Sequence, residues 1–164
     1  MKITVPAQYK HPLFYRETTE VEINEAFLFE HHFGPDLFYL DQQIKPWEDI
    51  DRWTKLINLE WDTLSAEMKP LFEGRADQTY DSMVKGLSLF FTLLYWSNEQ
   101  HVSFTSWEED LKNFEVSIMN AHERISFVMK RPAVYFSYIQ LDEMFRELNK
   151  TSAKFHAMRK RKRG

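Results

Sequence analysis

The stretch that decides the fold is KGLSLFFTLLYWSN, Lys85–Asn98. From Leu87 onward only Ser88, Thr92 and Ser97 interrupt a run of aliphatic and aromatic side chains before Asn98. A membrane-spanning helix needs about 20 consecutive apolar residues. This run is shorter, and it is bounded by Lys85 and by Asn98-Glu99-Gln100-His101. Met83, Leu87, Phe90, Leu94 and Ser97 recur in alternate steps of four and three, a helical stripe. Leu89, Phe91, Leu93, Tyr95 and Trp96 cover the other faces. A helix that is apolar all round is surrounded by protein. The stretch therefore predicts the central helix, about 78–98, of an all-α bundle of five to six helices in a single domain.

Working outward, Trp47, Ile50, Trp53, Ile57, Trp61, Leu64 and Met68 make a broad amphipathic stripe, with Pro46 suited to the first helical position. Pro70 and Gly74 mark a break before the central helix. Ser106-x-x-Glu109 reads as a capping box. It introduces a stripe from Trp107 through Leu111, Phe114, Ile118, Ala121 and Ile125 to Val128. Arg131-Pro132 ends that element, because the residue before Pro disfavours the helical region. Val134, Tyr138, Leu141, Phe145, Leu148 and Phe155 mark the last helix. Upstream, Thr19-x-x-Glu22 reads as another capping box, opening a helix that runs to about His32 and stops at Gly34-Pro35. Asp36 to Gln43 is expected to form a short turn. No segment reads as a strand.

Composition agrees with this. Apolar residues make up 43% and charged residues 28%, as in a soluble globular protein. Aromatics reach 16%, which predicts a ring-rich core. Four glycines are too few for a sandwich or barrel rich in tight turns. The absence of Cys excludes disulfides, thiolate metal sites and a Cys nucleophile, and it fits a reducing compartment. The opening residues lack the apolar stretch of a secretory signal, so a cytoplasmic location is expected.

Few residues point to chemistry. None of the six histidines has an acidic residue three positions before it, so the Glu-x-x-His pattern of di-iron bundles is missing. Glu30-His31-His32 is a local trio, but neighbours on a helix diverge too far to close on one ion. No metal and no cofactor is expected. Asp77 and Asp81, spaced i, i+4, are better read as first-turn acids than as a catalytic pair. No nucleophile elbow or phosphate-binding Gly loop occurs, and no catalytic residue is assigned. Tyr80, Tyr95, Tyr135 and Tyr138 either line a pocket or simply fill the core. Asn98, Glu99, Gln100 and His101 either cap the central helix or line a small-molecule cleft. Asn98, Glu99 and His101 are the ligand-binding candidates.

The charge distribution is lopsided. Five of the 21 basic residues are Arg159, Lys160, Arg161, Lys162 and Arg163. The remainder sets 16 basic against 25 acidic residues, a balance of −9 within a net charge of −4. Blocks of like charge repel and stay unfolded. The expected organisation is thus one helical domain over 1–158 and a disordered basic tail over 159–164. The tail reads as a solvated end without a role, as a candidate for non-specific nucleic-acid contact, or as a contact for an anionic membrane surface.

The stretch VPAQYKHPLFY, Val5–Tyr15, with HPLF at His11–Phe14 and the aromatic helical layout behind it, resembles the YpoC-like family of small bacterial proteins. That resemblance implies a cytoplasmic bacterial protein. It supplies no catalytic residues to carry over. The leading expectation is a non-enzymatic α-helical protein that acts by binding another macromolecule, with a protein partner. A nucleic-acid-associated accessory factor using 159–163 is the alternative. A small ligand-binding or enzymatic bundle with its site near Asn98–His101 is the second. Met and aromatic side chains also suit a homodimer surface.

Overall fold

In a computed structural model, described over residues 1–17 and 19–163 with the Arg163 side chain excluded, the chain is predominantly helical. The helices are α1 (Gly34–Asp41), α2 (Ile50–Met68), α3 (Tyr80–Ser97), α4 (Trp107–Leu111), α5 (Ala121–Lys130) and α6 (Tyr135–Arg163). Short 3₁₀ turns link several of them, among them Pro46–Asp49 leading into α2. Two three-residue strands, β1 (Lys2–Thr4) and β2 (Glu20–Glu22), pair antiparallel with Ile3 opposite Val21.

The expected central helix is α3. Every residue from Gly86 to Ser97 is buried. Its rings reach in different directions. Phe90 meets Phe145 of α6, Trp96 meets Trp53 of α2, Phe91 meets Phe104 and Trp107, and Tyr95 meets Phe114. Each such pair buries a large apolar area in edge-on or tilted geometry. Where α3 crosses α2 and α6, Gly86 lets the Trp61 ring and the Leu141 side chain come so close that a Cβ would collide with the ring. The Trp61 indole stacks on Phe145 at 4.9 Å and donates its N–H to Asp142 at 3.0 Å. This is how α2 and α6 close over the central helix.

The N-terminal layer departs from expectation. No helix runs from Thr19 to His32. Val21 and Ile23 turn inward in alternation, as do Ile3 and Val5, and these β-branched side chains suit a pleated ribbon. A 3₁₀ segment, Glu25–Glu30, follows, with Asn24 accepting a hydrogen bond from the Ala26 amide as its cap. Gly34-Pro35 opens α1 rather than ending a helix, in keeping with the preference for Pro in a first turn. The segment expected as a short turn is thus α1.

The long stripe from Trp107 to Val128 is likewise broken. Residues 112–120 form a loop between α4 and α5, and Asn120 enters α5 in the left-handed conformation (φ 52°). Val116 and Ile118 are buried all the same. Ser106 does not cap through Glu109; its hydroxyl donates to Asp110 at 2.8 Å. At the far end, α6 continues through Arg163 instead of giving way to a tail at 159. Gly164 lies outside the described residues.

His32 sits edge-on to Phe14 and Tyr15, with Nδ1 shut off from water and without a partner. Burial holds its ring below the usual histidine range; Lys85 and His31 add to this and Asp81 opposes it. The unfolded chain therefore takes up this proton first as pH falls through about 6.5. Stability should drop as pH falls below about 6.5. Burial also lowers His11 and His156, which act in the same direction. In urea titrations, His32→Phe should lessen this loss without abolishing it; parallel pH profiles for the two proteins would refute the assignment.

Candidate functional site

The end of α3 is built from Asn98–Gln100. The Asn98 amide is fully engaged: Nδ2 donates to the carbonyls of Leu94 and Val116, both at 2.8 Å, and Oδ1 accepts from the Val116 amide at 3.0 Å. It thereby ties loop 112–120 to the helix. Glu99 adopts the left-handed conformation (φ 57°), and the amides of Glu99 and Gln100 return to the carbonyls of Trp96 and Tyr95. That is a Schellman termination with Glu at a position usually held by Gly. The polar run caps the helix.

His101 belongs to a second construction. The Asp36 carboxylate, in the first turn of α1, is wholly buried. It accepts from Trp96 Nε1 at 2.6 Å, from the Val102 amide at 2.8 Å and from the Tyr9 hydroxyl. His101 Nδ1 completes the set at 2.8 Å. Trp47 packs edge-on against the His101 ring at 4.8 Å. Burial, reinforced by the charge of Asp36, holds the Tyr9 hydroxyl firmly protonated.

The basic residues at the end of α6 lie beside this region. Arg159 makes two contacts with the Glu99 carboxylate, at 2.7 and 3.1 Å, and Lys160 pairs with Asp51 at 3.2 Å. Cations in the last turns of a helix also suit its dipole, so helix and ion pairs agree. Arg161 and Lys162 are exposed; the Arg163 side chain lies outside the described residues. An open cleft of about 380 Å³ is lined by Asn98, Glu99, Gln100, Phe155, Arg159 and Lys162, among others. A second, about 450 Å³, is lined by Lys45, Trp47, Glu48, His156, Arg159 and Lys160 with neighbouring residues. Asn98 and Glu99 of one candidate set thus meet Arg159, Lys160 and Lys162 of the other, with Glu99 as the joint. The structure also brings two aromatic side chains, Trp47 and Phe155, to the basic segment, which sequence spacing did not show.

Other candidates stay apart. Among the described residues no group of three or more His, Cys, Asp or Glu is placed to hold a metal ion. His31 Nε2 bonds the Glu22 carbonyl at 2.8 Å, away from His32. Asp77 and Asp81 are both exposed. Tyr95 is inside, donating to Asp110 at 2.6 Å, and burial raises its hydroxyl out of reach of acid–base work.

Tyr135 and Tyr138 do line a groove, of about 690 Å³, with Phe72 and Ile139. Lys69, Glu73, Asp142 and Arg146 rim it. Phe72 packs against both tyrosine rings at 5.4 and 5.3 Å. Tyr135 is 53% exposed and Phe136 74%. Phe136 was not singled out in the sequence, because it lies off the Val134–Tyr138 stripe. A large apolar residue off the stripe at a helix start is the signal that marks it.

The YpoC-like protein family model matches residues 51–160, from α2 to the ion-paired end of α6. The chain belongs to the YpoC-like family. A relative from Bacillus subtilis (strain 168), described as uncharacterized protein YpoC, is 33% identical over 117 residues, or 69% of this chain and 70% of the relative. No solved structure matches. The family match covers α3, the aromatic groove and the clefts' α6 residues up to Lys160, but not Lys162. It leaves out Val5–Tyr15, the stretch whose sequence resembles the family. No helix among the described residues is long and apolar enough to cross a membrane.

The Asp36 cluster yields a stability test. Asp36→Asn places an amide N–H₂ against donors that need an acceptor. The loss should be on the order of 3–5 kcal/mol, as when one partner of a buried charged network is removed. Tyr9→Phe should cost less, about 1.5–3 kcal/mol, as for loss of one hydrogen bond to a charged group. Equilibrium denaturation followed by Trp fluorescence would measure both; a near-neutral Asp36→Asn would show that the cluster holds nothing together.

Proposed function

We propose that this YpoC-like chain is a non-enzymatic cytoplasmic protein that acts by binding another macromolecule through the groove at the start of α6. The observation that carries this is the pair of exposed rings, Tyr135 and Phe136, beside a concave apolar floor of Phe72, Tyr138 and Ile139. By contrast the rings of α3 from Phe90 to Trp96 are turned inward. Aromatic residues and Arg in a pocket are the composition of interface hot spots. The polar residues near Asn98 and His101 are engaged with the chain's own backbone and with Asp36, which favours surface recognition over reaction chemistry. A cytoplasmic setting accords with the lack of Cys. Crosslinking and affinity recovery from native cells should yield a specific partner. Recovery should fall at least about tenfold for the Tyr135→Ala/Phe136→Ser double variant, checked for folding by circular dichroism. Equal recovery by the two proteins would end this reading.

A nucleic-acid role at the other end of α6 is the second reading. It is favoured by Trp47 and Phe155, which stand beside Arg159, Lys160 and Lys162 as stacking surfaces beside phosphate-binding cations. Two of those cations already serve Glu99 and Asp51, so few remain for phosphates. Duplex binding should show a shallow salt slope, about −2 for two phosphate contacts. It should weaken in Arg161→Glu/Lys162→Glu. Salt-independent or unchanged binding would remove the idea.

A further inference from the structure

The connection between α5 and α6 is only four residues long, 131–134, so Phe127, Lys130, Arg131, Tyr135 and Phe136 all lie at one hairpin tip. All five are exposed. Ser137 braces the tip by donating to the Arg131 carbonyl at 2.6 Å. Beneath lies the groove floored by Phe72, Tyr138 and Ile139, with Lys69 and Arg146 on its rim. Lys130 also borders a second open groove, about 610 Å³, whose apolar lining includes Leu13, Phe104, Trp107 and Met129.

The charges at the tip are unevenly employed. Arg146 pairs with Asp142 at 2.9 Å, and Asp142 also accepts from Trp61. Lys69, Lys130 and Arg131 take part in none of the ion pairs found among the described residues. Glu73 is the one carboxylate of the groove without a cationic partner there. The tip is therefore a basic, ring-bearing island on a chain with more acidic than basic residues. A second copy docked by the same face would bring these cations against themselves. A long polyanion would meet the acidic remainder of the surface. A concave floor admits a protruding side chain, which a flat lipid surface does not offer.

We propose that the α5–α6 tip receives an acidic segment of a partner protein, with an apolar side chain seated in the Phe72–Tyr138 groove and carboxylates facing Lys69, Lys130 and Arg131. This rests on the interaction reading of the groove and adds the chemistry of its occupant. Charge complementarity sets the partner's approach and register, and the buried anchor sets its lifetime.

Selection from a random displayed library of peptides of about 12 residues, with the full chain as bait, tests it. Enriched peptides should be net negative and carry one Phe, Leu or Trp. By fluorescence anisotropy their Kd should rise at least about tenfold in Lys130→Glu/Arg131→Glu, and likewise in Phe136→Ser. These positions are exposed, and circular dichroism confirms folding. Neutral or basic peptides that still depend on Phe136 would overturn the acidic chemistry and leave the interaction reading standing. Peptides indifferent to both variants would overturn both. No enrichment, self-association that Phe136→Ser abolishes, or binding to phosphatidylserine vesicles through the tip would each overturn the acidic-segment proposal.

Discussion

The fold hangs on one buried carboxylate. Asp36 is cut off from water and receives donors from the N-terminal layer, from α3 and from the segment that follows it. An ionised group in such a place is tolerated only when its oxygens are fully hydrogen-bonded. Here the requirement specifies geometry: Tyr9, Trp96, His101 and Val102 must converge on one point. The layer before α1 has little else of that kind, since its regular hydrogen bonding among the described residues is limited to a three-residue ribbon and 3₁₀ turns. Apolar rings such as Phe14, Phe33 and Phe104 fill the space between layer and bundle. Rings alone pack in several ways, whereas the carboxylate accepts one arrangement.

Legibility in the sequence followed the length of each period. Stripes of five to seven positions in α2, α3 and α6 were readable because they repeat the helical period several times. The β1–β2 ribbon shows its inward pattern only at Ile3, Val5, Val21 and Ile23, too short a run to compete with the apparent capping box at Thr19 and Glu22. The stripe from Trp107 to Val128 misled for a different reason. Its apolar residues are buried or, at Leu111 and Phe114, half-buried, but the backbone between Leu111 and Ala121 is captured by the Asn98 side chain, a contact between distant residues that no local pattern records.

The site was legible in the same uneven way. Asn98–His101 stood out as polar residues following a buried run, and the structure gives them work in termination and in the Asp36 cluster. Arg159–Arg163 stood out by charge, yet the attachment of Arg159 to Glu99 and of Lys160 to Asp51 depends on α6 folding back beside α2 and the end of α3. The groove at Tyr135 needed tertiary placement altogether: Phe72 comes from the segment after α2, and nothing in its surroundings announces that it will meet two rings of α6.

Helix α6 has a mechanical corollary. It runs for 29 residues without an internal Pro or Gly, which at 1.5 Å per residue makes a rod of about 44 Å. The aromatic groove lies at one end and the ion-paired cationic turns at the other. One continuous helix thus fixes the separation of the two ends.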